Sequence, residues 1–121
     1  MSIQESGEMY LETILILSKE QPQVRAIDVA TYRELSRASV SRGLGLLRDD
    51  GYIDVDQSGH ITLTEKGKER ANSVYDKHNV LSSILKKIGV RDEVAAEDAC
   101  RMEHYMSDES FEAIKKYFGF K

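Results

Sequence analysis

AIDVATYRELSRASVSRGLGLLRDDGYIDVDQSGHITLT, residues 26–64, changes its hydrophobic period twice within a short span. The spacing predicts a helix from Ala26 to about Arg33, a turn over 34–36, and a second helix from Arg37 to Asp50 with Val40, Leu44 and Leu47 on one face. Gly51 follows Asp49-Asp50 and is free to take the left-handed geometry that ends a helix. Beyond it, Tyr52-Ile53-Asp54-Val55 and His60-Ile61-Thr62-Leu63 alternate as two strands do, with the turn supplied by Asp56 to Gly59.

Upstream, Met9, Leu11, Ile14, Leu15 and Leu17 mark a first helix over Ser6 to Lys19, with Ser6 as its cap, and Pro22 breaks the pattern. Downstream, Thr64 caps the longest helix, which runs through Ala71, Val74, His78, Leu81 and Leu85 to about Gly89. A helix from Arg91 to Met106 follows, and Ser107-Asp108 restarts a terminal one through Phe111, Ile114 and Phe118. The expected fold is therefore mainly α: a winged helix-turn-helix over 1–72, then an all-helical unit over 73–121, divided inside the long helix near Arg70 to Tyr75.

Composition narrows the function. The chain has 121 residues, which excludes a large multi-domain enzyme, and its 17 Lys plus Arg against 21 Asp plus Glu give a net charge of −4. Global basicity thus offers no argument for nucleic acid, and any such site is local. A single cysteine makes no intrachain disulfide, and the N-terminus MSIQESGEMYLE lacks the layout of a signal peptide, so a reducing cytoplasm is expected. The apolar run Met9 to Leu17 is interrupted by Glu12 and is too short for a membrane span.

Local basicity lies where a winged helix meets DNA. Tyr32 to Arg48 holds Arg33, Arg37, Arg42 and Arg48 against Glu34 alone. Arg37, Ser39, Ser41 and Arg42 place guanidinium and hydroxyl donors within reach of base edges or phosphates, and the wing adds Ser58 and His60. The bland alternative is a solvated helix face or a protein-binding module. Arg33 stands where the turn ordinarily wants an apolar anchor and Glu34 where it often wants Gly; either the turn is distorted or Arg33 reaches out of it.

A second constellation suggests a metal. Cys100, Glu103 and His104 fall at i, i+3 and i+4 and share one helix face. Met9 and Glu12 share a face of the first helix, and His78 on the long helix completes a set from three elements. Carboxylate and imidazole with soft sulfur favour a divalent transition metal, Fe(II) or Mn(II), over calcium or magnesium. Singly, each residue has a duller role in packing. Glu103 tips the balance, because a carboxylate drawn into an inter-helix seam is costly without a cation. A Cys100–His104 catalytic pair ranks last, since neither oxyanion donors nor an orienting group are evident.

The sequence resembles the diphtheria toxin repressor family of iron- and manganese-dependent regulators. The resemblance runs nearly end to end: Glu8-Met9-Tyr10-Leu11-Glu12, Asp28-Val29-Ala30, Ser39-Val40-Ser41-Arg42, Leu63-Thr64-Glu65-Lys66-Gly67 and, most specifically, Glu97 to Asp108. It implies that Met9, Cys100, Glu103 and His104 match the regulatory metal site of the iron-responsive branch, and that Glu12 and His78 match further ligands of the manganese-responsive branch. Met9 and Cys100 in place of acids shift preference toward Fe(II), or toward Zn(II) and Co(II) in vitro. The iron branch's ancillary site keeps His78 only, with Ser82 and Ala96 at its other positions. The resemblance further implies a homodimer on double-stranded operator DNA, metal as corepressor, and no C-terminal SH3-like domain. The competing expectation is a metal-independent winged-helix regulator with Cys100 as a packing or redox-sensing thiol.

Overall fold

The computed structural model describes residues 5–120; the first four residues of the N-terminal stretch read above, and Lys121, lie outside them. Helices α1 (Glu5–Glu20), α2 (Ala26–Arg33) and α3 (Arg37–Asp49) precede strands β1 (Ile53–Val55) and β2 (Ile61–Leu63). Then come α4 (Glu65–Lys87), α5 (Asp92–Met102) and α6 (Asp108–Phe118). The result is a winged helix-turn-helix followed by helices, as expected. The chain divides into two compact units, Met1–Asn72 and Ser73–Lys121, and α4 begins in the first and ends in the second.

In the first unit, α1 packs on α2, α3 and β2. Leu11, Ile14, Val29 and Val40 are wholly buried there, beside Leu47, Ile53 and Ala71. Each large aliphatic removed from water in this way contributes about 1.5–3 kcal/mol before the entropy of ordering is set against it. Ser36 caps α3 by accepting from the Ser39 N–H at 3.1 Å. Gly51 takes φ 83° and closes α3 as its position implied. The wing is antiparallel, with Ile53 opposite Leu63 and Val55 opposite Ile61. The turn end of β2 is tied to the segment before α2, because Ile61 N–H donates to the Val24 carbonyl at 2.8 Å. Thr64 caps α4, accepting from Gly67 N–H at 3.1 Å while its hydroxyl donates to the Gly51 carbonyl at 2.7 Å.

In the second unit, Val80, Ile84 and Phe111 form the core, with Met106, Ile114 and Phe118 against it. Ser107 caps α6 through the Ser110 N–H. Lys77 pairs with Asp108 at 3.0 Å and Lys115 with Asp76 at 3.3 Å, pinning α6 to α4.

Two local expectations need correction. Ser6 lies inside α1 rather than capping it. The helix expected to reach Met106 ends at Met102: Tyr105 N–H turns back to the Met102 carbonyl at 3.2 Å, tightening the chain before Ser107 starts α6. Periodicity alone does not register such tightening, since the apolar spacing continues through it.

Candidate metal centre and nucleic-acid interface

The early end of α5 decides the environment of the candidate ligands. Glu103 is its C-cap and His104 lies in the turn beyond, so a carboxylate sits where the helix already presents its partially negative end. That position favours a cation nearby. Glu103 is also 1% exposed. Its Oε2 meets His78 Nδ1 at 2.9 Å. Its Oε1 lies 3.4 Å from His104 Nε2 yet has no hydrogen-bond partner. Among the described residues it is the buried side-chain polar atom left in that condition. Leaving such an atom unmatched costs about 1–3 kcal/mol.

Ligand atoms of Cys100, Glu103 and His104 lie within 4.8 Å of one another, even though two of the three fall outside the helix. One more turn-like residue pair keeps the geometry, because Glu103 N–H still donates to the Ala99 carbonyl at 2.9 Å. The cluster offers one sulfur, one oxygen and one imidazole nitrogen. His78 Nδ1 is held against Glu103 Oε2, which leaves Nε2 on the far edge of the ring. An orphaned carboxylate oxygen and a mixed O, N, S donor set fit a divalent transition metal.

On α1, Met9 is partly buried against the first unit's core. Glu12 is 3% exposed and is paired with Arg33 Nη2 at 3.3 Å. Arg33 does reach out of the helix-turn-helix turn. The turn itself is also unusual, since Glu34 is the described non-glycine residue with positive φ, at 56°. Of the ancillary positions, Ser82 is buried and Ala96 is exposed on α5.

The DNA candidates separate into two kinds. Arg37, Ser41 and Arg42 are exposed along α3, whereas Ser39 is half-buried and its hydroxyl accepts from Ser36 at 2.9 Å. In the wing, Ser58 is exposed. His60 is half-buried and occupied: Nε2 meets Arg25 Nη2 at 2.9 Å and Nδ1 faces Asp56 at 3.3 Å. Asp56 also accepts the backbone N–H of Ser58 and of His60, chiefly the latter, which holds its carboxyl below the ordinary value. His60 is thus a clasp at the wing's turn. Sequence reasoning passed over Arg25, whose signal was a lone cation in the extended stretch leading into α2. A cleft of about 300 Å³ between α3 and the wing is lined by Ser41, Leu44, Gly45, Arg48, Val55 and Gly59, and contains no candidate metal ligand.

Comparison with known proteins bears on the family. Residues 2–61 match the iron dependent repressor, N-terminal DNA binding domain, and residues 64–121 match the iron dependent repressor, metal binding and dimerisation domain. The HTH-type transcriptional regulator MJ0568 of Methanocaldococcus jannaschii is 34% identical over 92% of this chain and 90% of its own length. The transcriptional regulator MntR of Escherichia coli O6:H1 is 30% identical over 89% of this chain and 70% of its own. The iron-dependent repressor IdeR of Mycobacterium bovis is 34% identical over 87% of this chain and 46% of its own. The structure of the manganese regulator SloR superposes with a TM-score of 0.86 and 25% identity, covering 100% of this chain, and a manganese-dependent transcriptional repressor in complex with manganese does so with 0.86 and 26% over 95%. The chain spans 56% and 53% of those two solved chains. No helix of the described residues is long and apolar enough to cross a membrane. These relatives are transcriptional regulators rather than enzymes, and the chain belongs to the iron-dependent repressor family of metal-dependent, DNA-binding transcription regulators.

Proposed function

We propose that this chain is a repressor that grips double-stranded operator DNA as a homodimer when Fe(II) or Mn(II) is bound by Cys100, Glu103, His104 and His78, with Met9 and Glu12 of α1 completing the ligand set. The observation that carries this reading is the buried Glu103 Oε1 without a hydrogen-bond partner, set among sulfur and imidazole donors. A bound divalent ion supplies Glu103 Oε1 with the partner that no hydrogen bond in the protein provides. The metal-independent alternative, with Cys100 as packing or redox thiol, leaves that atom unexplained.

This chain's residues divide the work. Cys100 and Met9 supply soft donors that favour Fe(II) over Mn(II), and Zn(II) or Co(II) in vitro. Arg37, Ser39, Ser41 and Arg42 of α3 contact the major groove, and Ser58 with the His60-clasped wing contacts the flanking backbone. In a symmetric dimer two α3 helices must meet half-sites about 34 Å apart, so ligands drawn from α1 and from the second unit make DNA grip depend on the ion. A coupling of about 1–3 kcal/mol changes operator affinity about 5- to 150-fold.

The test is DNA binding by Glu103→Ala and His104→Ala, measured with and without Fe(II) or Mn(II) under anaerobic reducing conditions. The expected result is a folded dimer whose DNA affinity no longer responds to metal. A full metal response in both variants overturns the proposal.

A further inference from the structure

The arginine at the helix-turn-helix turn is not absorbed by DNA recognition, because it points into the protein. Arg33 Nη2 lies 3.3 Å from Glu12 Oε1, and Arg33 Nε donates to Thr13 Oγ1 at 2.6 Å. The Thr13 hydroxyl in turn donates to the Met9 carbonyl at 2.7 Å. One guanidinium therefore holds the single turn of α1 that carries both Met9 and Glu12. Glu12 side-chain exposure is 4% and that of Arg33 is 20%, so solvent screens the pair poorly. Arg33 is also the last residue of α2, directly before the left-handed Glu34.

We infer that Arg33 is the resident counter-cation of Glu12, a positioning residue that competes with the incoming metal for that carboxylate and so sets the metal concentration at which the protein responds. The inference rests on the reading of Glu12 as a metal ligand. Without metal, Arg33 satisfies a carboxylate that burial would otherwise make costly. With metal, the guanidinium and a divalent ion face the same carboxylate group, and their repulsion weakens the bound state. The fork geometry matters as well, since the bond to Thr13 keeps the guanidinium in place when its charge partner is shared.

The experiment is isothermal titration of the full-length, DNA-free protein with Mn(II), and with Zn(II) as a second probe, comparing wild type with Arg33→Gln, Arg33→Lys and Glu12→Gln. Arg33→Gln removes the charge but keeps donors, and is expected to bind metal about tenfold more tightly, a change equivalent to about 1.4 kcal/mol. Arg33→Lys keeps the charge but loses the two-point hold on Glu12 and Thr13, and is expected to fall between wild type and Arg33→Gln. Unchanged or weaker binding by Arg33→Gln, with Glu12→Gln still impaired, overturns the inference and leaves Glu12 as a ligand. Unimpaired binding by Glu12→Gln overturns both. A readout free of any variant is the Arg33 Nε–H resonance in ¹⁵N NMR of the wild type: Zn(II) is expected to shift it as the Glu12 pairing changes. An unmoved resonance at saturation also overturns the inference.

Discussion

Replacing Glu103 by leucine separates what that residue does for the fold from what it does for the metal. In the metal-free protein the substitution removes one buried oxygen without a hydrogen-bond partner, which returns about 1–3 kcal/mol. It also removes the 2.9 Å contact with His78 and the longer 3.4 Å pairing with His104, together worth about 1 kcal/mol, and His78 keeps 27% of its side chain exposed, so water can replace its lost partner. Leucine is close in volume to glutamate and needs little repacking. The balance lies between about zero and 2 kcal/mol in favour of the variant, and at about 3–6 °C per kcal/mol for a chain of this size the melting temperature stays level or rises by up to about 12 °C. Metal at a hundred times its dissociation constant should stabilise wild type by about 2.7 kcal/mol, a rise of about 8–16 °C. The variant should show almost none of it. Differential scanning fluorimetry with and without Mn(II) reads both numbers. A metal-free variant that melts more than about 10 °C below wild type, or one that keeps the full metal-induced rise, refutes the reasoning.

Arg42→Ala should weaken DNA binding by about 1–3 kcal/mol, roughly 5- to 150-fold, while metal affinity without DNA stays at the wild-type value; a loss of metal affinity would contradict the separation of roles. Gly67→Ala should lower stability by about 1–3 kcal/mol in thermal melts, because a Cβ there runs into the Tyr52 backbone carbonyl, which cannot move aside as a side chain can. The wing carries a pH signature. Asp56 is held below the ordinary 3.8 chiefly by the His60 N–H, so its contribution is complete above that ordinary value and is lost as pH falls through the lowered one. Amide protection of Ser58 and His60 should persist at about pH 5 and fall only below about pH 4, whereas Asp56→Ala, which removes the acceptor, should lose it at every pH; hydrogen exchange distinguishes the two.

The helix-turn-helix and wing were readable because Val40, Leu44 and Leu47 keep a strict helical spacing, and because Gly51 and Thr64 mark a stop and a start with local chemistry. The end of α5 was less readable, since Glu103 to Met106 preserve apolar spacing while their backbone tightens. The cluster of Cys100, Glu103 and His104 could be placed from spacing because those intervals bring side chains together with or without the final helical residues. The occupied state of His60 could not. It depends on Arg25, thirty-five positions away, and on main-chain pairing between Val24 and Ile61 that no local pattern encodes. Arg33 was conspicuous as an anomaly, but its destination on Glu12 and Thr13 follows from the packing of α1 on α2.

The most direct test of metal control uses the reciprocity that linkage demands. A DNA fragment is selected from a random pool by the metal-loaded protein, and the affinity for Mn(II) or Fe(II) is then measured on one preparation with and without that fragment. The account predicts that DNA tightens metal binding by the same factor, about 5- to 150-fold, by which metal tightens DNA binding. Metal affinity that is indifferent to saturating DNA would contradict it.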